Sequence, residues 1–308
     1  MREITDITTF TTQQPTVLTI GTFDGVHLGH QKIIERVVTT ARQEGLLATI
    51  FTFFPHPRMV VQHDKSLKLI HTLEEKKQLL QQLGVDLLVV QPFNEAFAQL
   101  TAEEFVSTIL VQHLNVKKVI IGYDHRFGRN RTANINDMRL FGEKYGFAVE
   151  EISVQEVDEV SVSSTKIREA LNKGDVTTAE HYLGTPYSLT GRVVHGLKLG
   201  RTLGYPTANI QVTEEYKLIP KDGVYAVYSY IDGRKVYGMM SIGKNPTIEG
   251  KGASIEVYFF DFNGDLYDQK LTIEFVQYLR EEQKFATIDL LKKQLQDDET
   301  AARKAIAV

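Results

Sequence analysis

The 308-residue sequence contains no cysteine. Disulfides, thiolate metal sites and cysteine nucleophiles are therefore excluded, and the absence suits a reducing compartment. No apolar run approaches the ~20 residues that a membrane-spanning helix requires. Residues 1–12 lack the apolar core that follows the basic start of a secretory signal. A formal net charge of −4 leaves no excess positive field for nucleic acid or an anionic membrane, so an anionic substrate has to be gripped by local groups. Neither G-x-x-x-x-G-K-[ST] nor G-x-G-x-x-G occurs in the chain, and repeats and low-complexity segments are missing too. These absences lead us to expect a soluble cytoplasmic protein with no nucleic-acid or membrane partner.

What is present is ordinary globular composition, 42% apolar and 24% charged, over a length that exceeds one typical core. Two domains are expected. In the first half, short apolar runs at 17–20, 48–53, 87–90, 119–121 and 147–152 read as strands. Helical start signals lie between them: Thr72-Leu-Glu-Glu75 and Thr101-Ala-Glu-Glu104 both have the capping-box form. Strands alternating with helices predict crossover connections and a doubly wound α/β domain with a parallel sheet, over 1–184. The texture changes after Gly184-Thr-Pro186. Period-2 runs at 188–195, 224–231, 235–242, 255–262 and 266–279 predict an antiparallel β-barrel over 185–308, closed by a helix near 286–296. Asp232-Gly233 and Asn263-Gly264 have the composition of tight hairpin turns.

Gly21-Thr-Phe-Asp-Gly-Val-His-Leu-Gly-His30 follows the first of these strands and opens a helix. Such turns at the carboxyl end of a parallel sheet bind ligands, and a helix start offers unpaired N–H donors to phosphate. His27 and His30, three apart, fall on one face, where two imidazoles can reach a triphosphate; alternatively, they are ordinary helix residues. Phe54-Pro-His-Pro57 follows the second strand as a ligand loop or a proline-stiffened turn. Ile121-Gly-Tyr-Asp-His-Arg-Phe-Gly-Arg-Asn-Arg131 offers three arginines for phosphate, or a solvated basic loop. Ser163-Ser-Thr-Lys-Ile-Arg168 opens a helix as an anion site or as plain caps.

In the second half, Gly196-Leu-Lys-Leu-Gly-Arg-Thr-Leu-Gly-Tyr-Pro-Thr-Ala-Asn209 follows a strand. A flexible glycine loop can wrap phosphates with backbone N–H groups. Thr207 and Asn209, two apart on an extended segment, share a side and carry neutral oxygens that can complete a Mg²⁺ shell. Strand alternation puts Glu256 on one face with Ser254 and Tyr258; taken alone, such a glutamate is an outward hairpin residue. Arg280 ends a strand, where it reaches a substrate phosphate or forms a surface salt bridge.

The H-x-G-H element resembles the nucleotidyltransferase superfamily. The longer 21–30 string, with the segments at 54–57, 121–131 and 163–168, resembles the adenylyltransferase module of bacterial bifunctional riboflavin kinase/FAD synthetases. Gly-Arg-Thr-Leu-Gly-Tyr-Pro-Thr-Ala-Asn, with Pro220-Lys-Asp-Gly-Val-Tyr-Ala226, Ile242-Gly-Lys-Asn-Pro-Thr247 and Ser254-Ile-Glu-Val-Tyr258, resembles the riboflavin kinase signature. His125, Ser241 and Tyr258 depart from the family's usual residues.

The resemblance implies that the barrel phosphorylates riboflavin to FMN and that the first domain joins FMN to AMP from a second ATP, releasing pyrophosphate. It assigns ATP in the first domain to Gly21, Phe23, Asp24, Gly25, His27, His30, Ser164, Thr165 and Arg168, and flavin to Phe54, His56, Pro57, Asp124 and Arg126. In the barrel it assigns ATP to Gly196, Lys198, Gly200, Arg201, Gly204, Pro206, Thr207 and Asn209, flavin to Glu256 and Arg280, and Mg²⁺ to Thr207 and Asn209. Catalysis falls to Glu256 as base and to His27 and His30. Two rivals are an adenylyltransferase for another phosphorylated substrate, such as nicotinamide mononucleotide, and a non-catalytic flavin-sensing module.

Overall fold

A computed structural model describes residues 1–122, 125–153, 162–196, 199–243 and 254–307. The chain divides into two compact units, Met1–Ser164 and Thr165–Val308.

The first unit is built on a six-stranded sheet in the order β1-β4-β3-β2-β5-β6. Its strands are β1 (Arg2–Ile4), β2 (Thr16–Ile20), β3 (Leu47–Phe54), β4 (Leu87–Pro92), β5 (Val116–Gly122) and β6 (Ala148–Ile152). Every pairing is parallel. Five strands were expected; the sixth, β1, is three residues docked on the edge of β4, with Arg2 opposite Leu87. All five residues of β2 are buried, as a strand covered on both faces requires. Side-chain alternation sorts the core into two layers. Leu18, Phe51, Val89 and Val119 pack with Phe105 and Leu110; Ile50, Leu88 and Val90 pack with Ile34 and Leu80. Each such side chain, fully removed from water, contributes about 1.5–3 kcal/mol.

The order reverses at β2, since β3 and β4 lie to one side of it and β5 to the other. The chain leaving β2 therefore emerges at a topological switch point, where open α/β sheets form their ligand crevices. It enters α1 (Leu28–Glu44), capped by His27 and closed by Gly45 at φ +69°. The short helix α2 (Pro57–Val61) follows β3. Next comes α3 (Leu73–Gln82), which begins with the complete Thr72/Glu75 capping box; Thr101/Glu104 forms a second.

The second unit holds a closed barrel in the order β10-β11-β8-β7-β12-β9. Its strands are β7 (Ser188–Val194), β8 (Ala208–Gln211), β9 (Gly223–Ile231), β10 (Arg234–Gly243), β11 (Ser254–Phe259) and β12 (Lys270–Arg280). All pairings are antiparallel, and closure leaves no exposed sheet edge. Tyr187, Tyr225 and Phe275 fill the interior in ring-to-ring contact. Asp232-Gly233 turns β9 into β10 with φ +50° and +75°, as a two-residue hairpin demands. The hairpin expected at Asn263-Gly264 is absent. β11 pairs with β10 and β8, while β12 pairs with β7 and β9, so that stretch crosses between non-adjacent strands. The positive φ angles flanking it belong to Asp261 and Asp268.

The C-terminal helix Ile288–Ile306 runs ten residues beyond the expected end, from 296 to 306, and Ala302 is buried with Tyr205, Met239 and Phe260. The helices Ser164–Lys173 and Val176–Leu183 precede the barrel. The compact units part at the head of the first of these helices, whereas the change in sequence texture comes at Gly184.

Candidate active sites

The β2–α1 turn is tightly wound. Phe23, Gly25 and Val26 all have positive φ, at +46°, +91° and +41°. Two of them carry side chains, so the surrounding contacts must hold the turn. Phe23 and Val26 are buried anchors, and Gln31 Nε2 donates to the Val26 carbonyl at 2.8 Å. A Cβ on Gly21 would lie 3.0 Å from the Phe23 ring. Asp24 is buried; its Oδ1 accepts from the Ile70 N–H at 2.9 Å, and its carbonyl accepts from Ser164 Oγ at 2.9 Å. That last bond ties Ser164 to the turn. Asp24 thus acts on the protein's own backbone.

His27 and His30 come together as the sequence predicts. Their rings stack with centroids 3.6 Å apart, and Phe23 meets His30 edge-on at 5.2 Å. His27 Nδ1 accepts from the His30 backbone N–H at 3.4 Å, which leaves Nε2 as its donor. Burial pushes His27 down to about 4. Burial, then the nearby His27 and Lys76, hold His30 well below its usual value. Both rings are neutral at pH 7, so each is a hydrogen-bond donor rather than a cation. Lys76 is the residue the sequence did not reveal. It is buried on α3, and its Nζ donates to the Thr22 carbonyl at 2.8 Å.

Other predicted residues of this site are less concentrated. Phe54 ends β3, half-buried against the apolar layer around Ile50. Beside it Phe53, Phe93 and Phe97 form an aromatic shelf, with Phe53 5.4 Å from Phe93 and 5.8 Å from Phe97. His56 caps α2 by accepting the Arg58 N–H at 3.2 Å, and Pro57 opens that helix. Arg126 is exposed. Asp124 lies outside the described residues. Thr165 and Arg168 sit on the first turns of the helix Ser164–Lys173 and fall in the second unit, Thr165 exposed and Arg168 half-buried.

In the barrel, Glu256 stands on β11 directly opposite Asn209 on β8. Its Oε2 accepts from Thr207 Oγ1 at 2.9 Å and its Oε1 from Ser254 Oγ at 3.2 Å. Ser254, Glu256 and Tyr258 share the half-exposed face of β11, while Ile255, Val257 and Phe259 are buried. Tyr258 packs edge-on against Tyr205 at 5.0 Å.

The glycine segment covers this corner. A Cβ on Gly196 would come within 2.3 Å of Asn209 Nδ2, and one on Gly200 within 2.2 Å of the Tyr205 carbonyl. The expected flexible loop is instead partly helical. Residues Leu199–Thr202 form one turn, and the Tyr205 N–H bonds the Gly200 carbonyl at 2.8 Å. Gly204 closes the turn at φ +88°, which is why glycine stands there. Arg201 and Pro206 are exposed. Lys198 and residues 244–247 of the downstream motif lie outside the described residues. Arg280 is in a part-buried ion pair: Nε and Nη2 donate to Asp298 at 2.7 and 2.6 Å, and Nη1 to the Glu281 carbonyl at 2.7 Å.

A doubly wound unit with stacked histidines at its switch point, followed by a barrel with a glycine-covered Thr/Asn/Glu corner, defines a two-site transferase of the nucleotide-using kind. Comparison with known proteins agrees. The FAD synthetase family model matches residues 9–166, and the riboflavin kinase model matches residues 183–306. The chain is 40% identical to a bifunctional riboflavin kinase/FMN adenylyltransferase of Listeria monocytogenes, over 93% of this chain and 91% of that one. It is 38% identical to the Escherichia coli K12 protein of the same description, over 94% and 93%. A crystal structure from Streptococcus pneumoniae, described as a macrolide-efflux protein, superposes with a TM-score of 0.88 at 33% identity, covering 98% of both chains. Among the described residues here no helix is long and apolar enough to cross a membrane. The chain belongs to the bifunctional riboflavin kinase/FMN adenylyltransferase family.

Proposed function

We propose that the barrel phosphorylates riboflavin at its ribityl 5′-hydroxyl and that the first domain adenylylates the resulting FMN. In the kinase step Glu256 takes the hydroxyl proton as the oxygen attacks the γ-phosphorus of ATP, and ADP leaves. The carboxylate is already oriented by Thr207 and Ser254, so little reorganisation precedes the transfer. Thr207 and Asn209 are suited to Mg²⁺, because neutral oxygens complement a cation whose negative charge is balanced by phosphates. When bound, the ion neutralises charge on the transferring phosphoryl group. Gly196, Lys198, Gly200, Arg201, Gly204 and Pro206 receive the ATP of this reaction. Arg280 acts in this reading by locking the C-terminal helix to the end of β12 through Asp298, which shapes the flavin side.

In the second reaction an FMN phosphate oxygen attacks the α-phosphorus of another ATP and pyrophosphate leaves. Neutral His27 and His30 donate hydrogen bonds to phosphate oxygens where charge develops. Gly21, Phe23, Asp24 and Gly25 fix the turn that presents them, Ser164, Thr165 and Arg168 receive the ATP phosphates, and Phe54, His56, Pro57, Asp124 and Arg126 receive flavin. The functional boundary on this reading is Gly184, the helices 164–183 serving the adenylyltransferase. The observation that carries the reading is the Glu256 carboxylate, held by Thr207 and Ser254 opposite Asn209. A product time course with riboflavin, ATP and Mg²⁺, resolving FMN from FAD, tests it. FMN should appear first and FAD after it; flavin binding without ADP or pyrophosphate release would overturn the assignment.

A further inference from the structure

Lys76 is 4% exposed, and an ammonium removed from water carries a desolvation cost of several kcal/mol. An apolar side chain on the same helix face would avoid that cost. The lysine's one hydrogen-bond acceptor among the described residues is the Thr22 carbonyl, at 2.8 Å. That oxygen also accepts from Thr52 Oγ1 at 3.2 Å. An ammonium has three donors, so its bonding capacity exceeds what the fold uses. Thr22 lies inside the turn whose backbone leads to His27 and His30, and the charge is close enough to be felt by the His30 ring.

We propose that Lys76 is a positioning residue for adenylyl transfer: its buried ammonium braces the 21–30 turn at Thr22 and sets a fixed positive charge behind the histidine pair, complementary to the polyphosphate in front of it. The proposal rests on the reading of this turn as the adenylyltransferase site. Two neutral imidazoles carry no net charge to meet a triphosphate, and a low-polarity surrounding lets one buried cation act on them over several ångströms. Among the described residues, the charged groups that act on Lys76 and the pair are Asp24 from the turn and His27 and His30 from the start of α1. Burial pushes Lys76 down to about 8, opposed by the Asp24 carboxylate. The charge is therefore present at neutral pH and lost as pH rises through 8, which gives FAD formation an alkaline limb.

The test uses the full-length chain with Lys76→Arg, Lys76→Gln and Lys76→Met, assayed for FAD from FMN and ATP between pH 6.5 and 9.5. Riboflavin phosphorylation is measured on the same preparations, and a thermal melt of the first unit serves as the fold control. Gln keeps a donor for Thr22 without charge, and Arg keeps the charge. Gln and Met should each lower kcat for FAD formation by about 100-fold, the scale of a lost preorganised donor. Their alkaline limb should vanish, with KM values little moved. Arg should restore most of the rate and carry the limb above pH 9. A wild-type rate and limb in Lys76→Gln, equal loss in all three folded variants, or a first unit that melts out in all three would overturn the proposal. A parallel His27→Ala/His30→Ala variant separates the two failures: FAD made at the wild-type rate there would sink the reading of the turn itself.

Discussion

The Thr207 hydroxyl donates to Oε2 of Glu256 at 2.9 Å, so the candidate metal ligand just before β8 and the candidate base on β11 are in direct contact. Glu256→Gln preserves an acceptor for Thr207 and removes the basicity. FMN formation should fall by about 10²–10⁴-fold, the range for a positioned general base, while FMN-to-FAD conversion stays within about twofold. Steady-state assays of each half-reaction check this. Equal loss of both activities would mean that the sites are not independent.

At the other site, His27→Ala with His30→Ala should abolish FAD formation and leave riboflavin phosphorylation intact. The two rings stack, so their effects should not add: either single variant should lose nearly as much as the pair. Comparing kcat for the three variants measures the coupling.

Gly200 has no room for a methyl group, because its Cβ would lie 2.2 Å from the backbone carbonyl of Tyr205. Gly200→Ala should therefore unwind the 199–202 turn and raise KM for ATP in the kinase reaction by about tenfold, equivalent to about 1.4 kcal/mol. Gly196→Ala meets the movable side chain of Asn209 instead, so its effect should appear in the Mg²⁺ requirement. Kinase assays titrated in ATP and in Mg²⁺ distinguish the two.

Asp298 is 4% exposed and holds both Nε and Nη2 of Arg280, eighteen residues earlier in the chain, 298 against 280. Asp298→Ala leaves the guanidinium part-buried without its partner and should cost about 3 kcal/mol of barrel stability. Chemical denaturation of the variant reads this directly. A loss of riboflavin affinity alongside would support the role given to Arg280.

Most of the fold was legible because local signals were strong. The apolar runs of β2 to β5, both capping boxes and the Asp232-Gly233 turn each follow from a few adjacent residues. β1 left no trace, since three residues carry no periodicity and only pairing with β4 makes them a strand. Asn263-Gly264 misled because the same dipeptide composition serves crossovers between non-adjacent strands. Strand alternation put Thr207 beside Asn209 and Glu256 beside Ser254, but their meeting in one corner depends on β8 pairing with β11. Lys76 was not: within Glu74-Glu75-Lys76-Lys77 it looks like a solvated helix face, and only tertiary packing brings it under Thr22. Arg280 was open between substrate and salt bridge for the same reason, its partner being set by how the C-terminal helix docks.

The buried histidines also predict how the first unit responds to acid. His27 has a folded value of about 4 against 6.5 unfolded. Between those values the unfolded chain binds more protons than the folded one, so stability rises with pH across the window and falls on acidification from 6.5. By pH 5 the loss from His27 alone is about 2 kcal/mol, and His30, shifted the same way, adds to it. His27→Asn keeps a side-chain oxygen to cap α1, in place of the Nδ1 that accepts from the His30 N–H, and removes the titrating ring. Thermal melts of the first unit at pH 7.5 and pH 5 should differ less in this variant than in the wild type. An unchanged difference would place the acid sensitivity elsewhere and would argue that the His27 ring is solvated rather than buried.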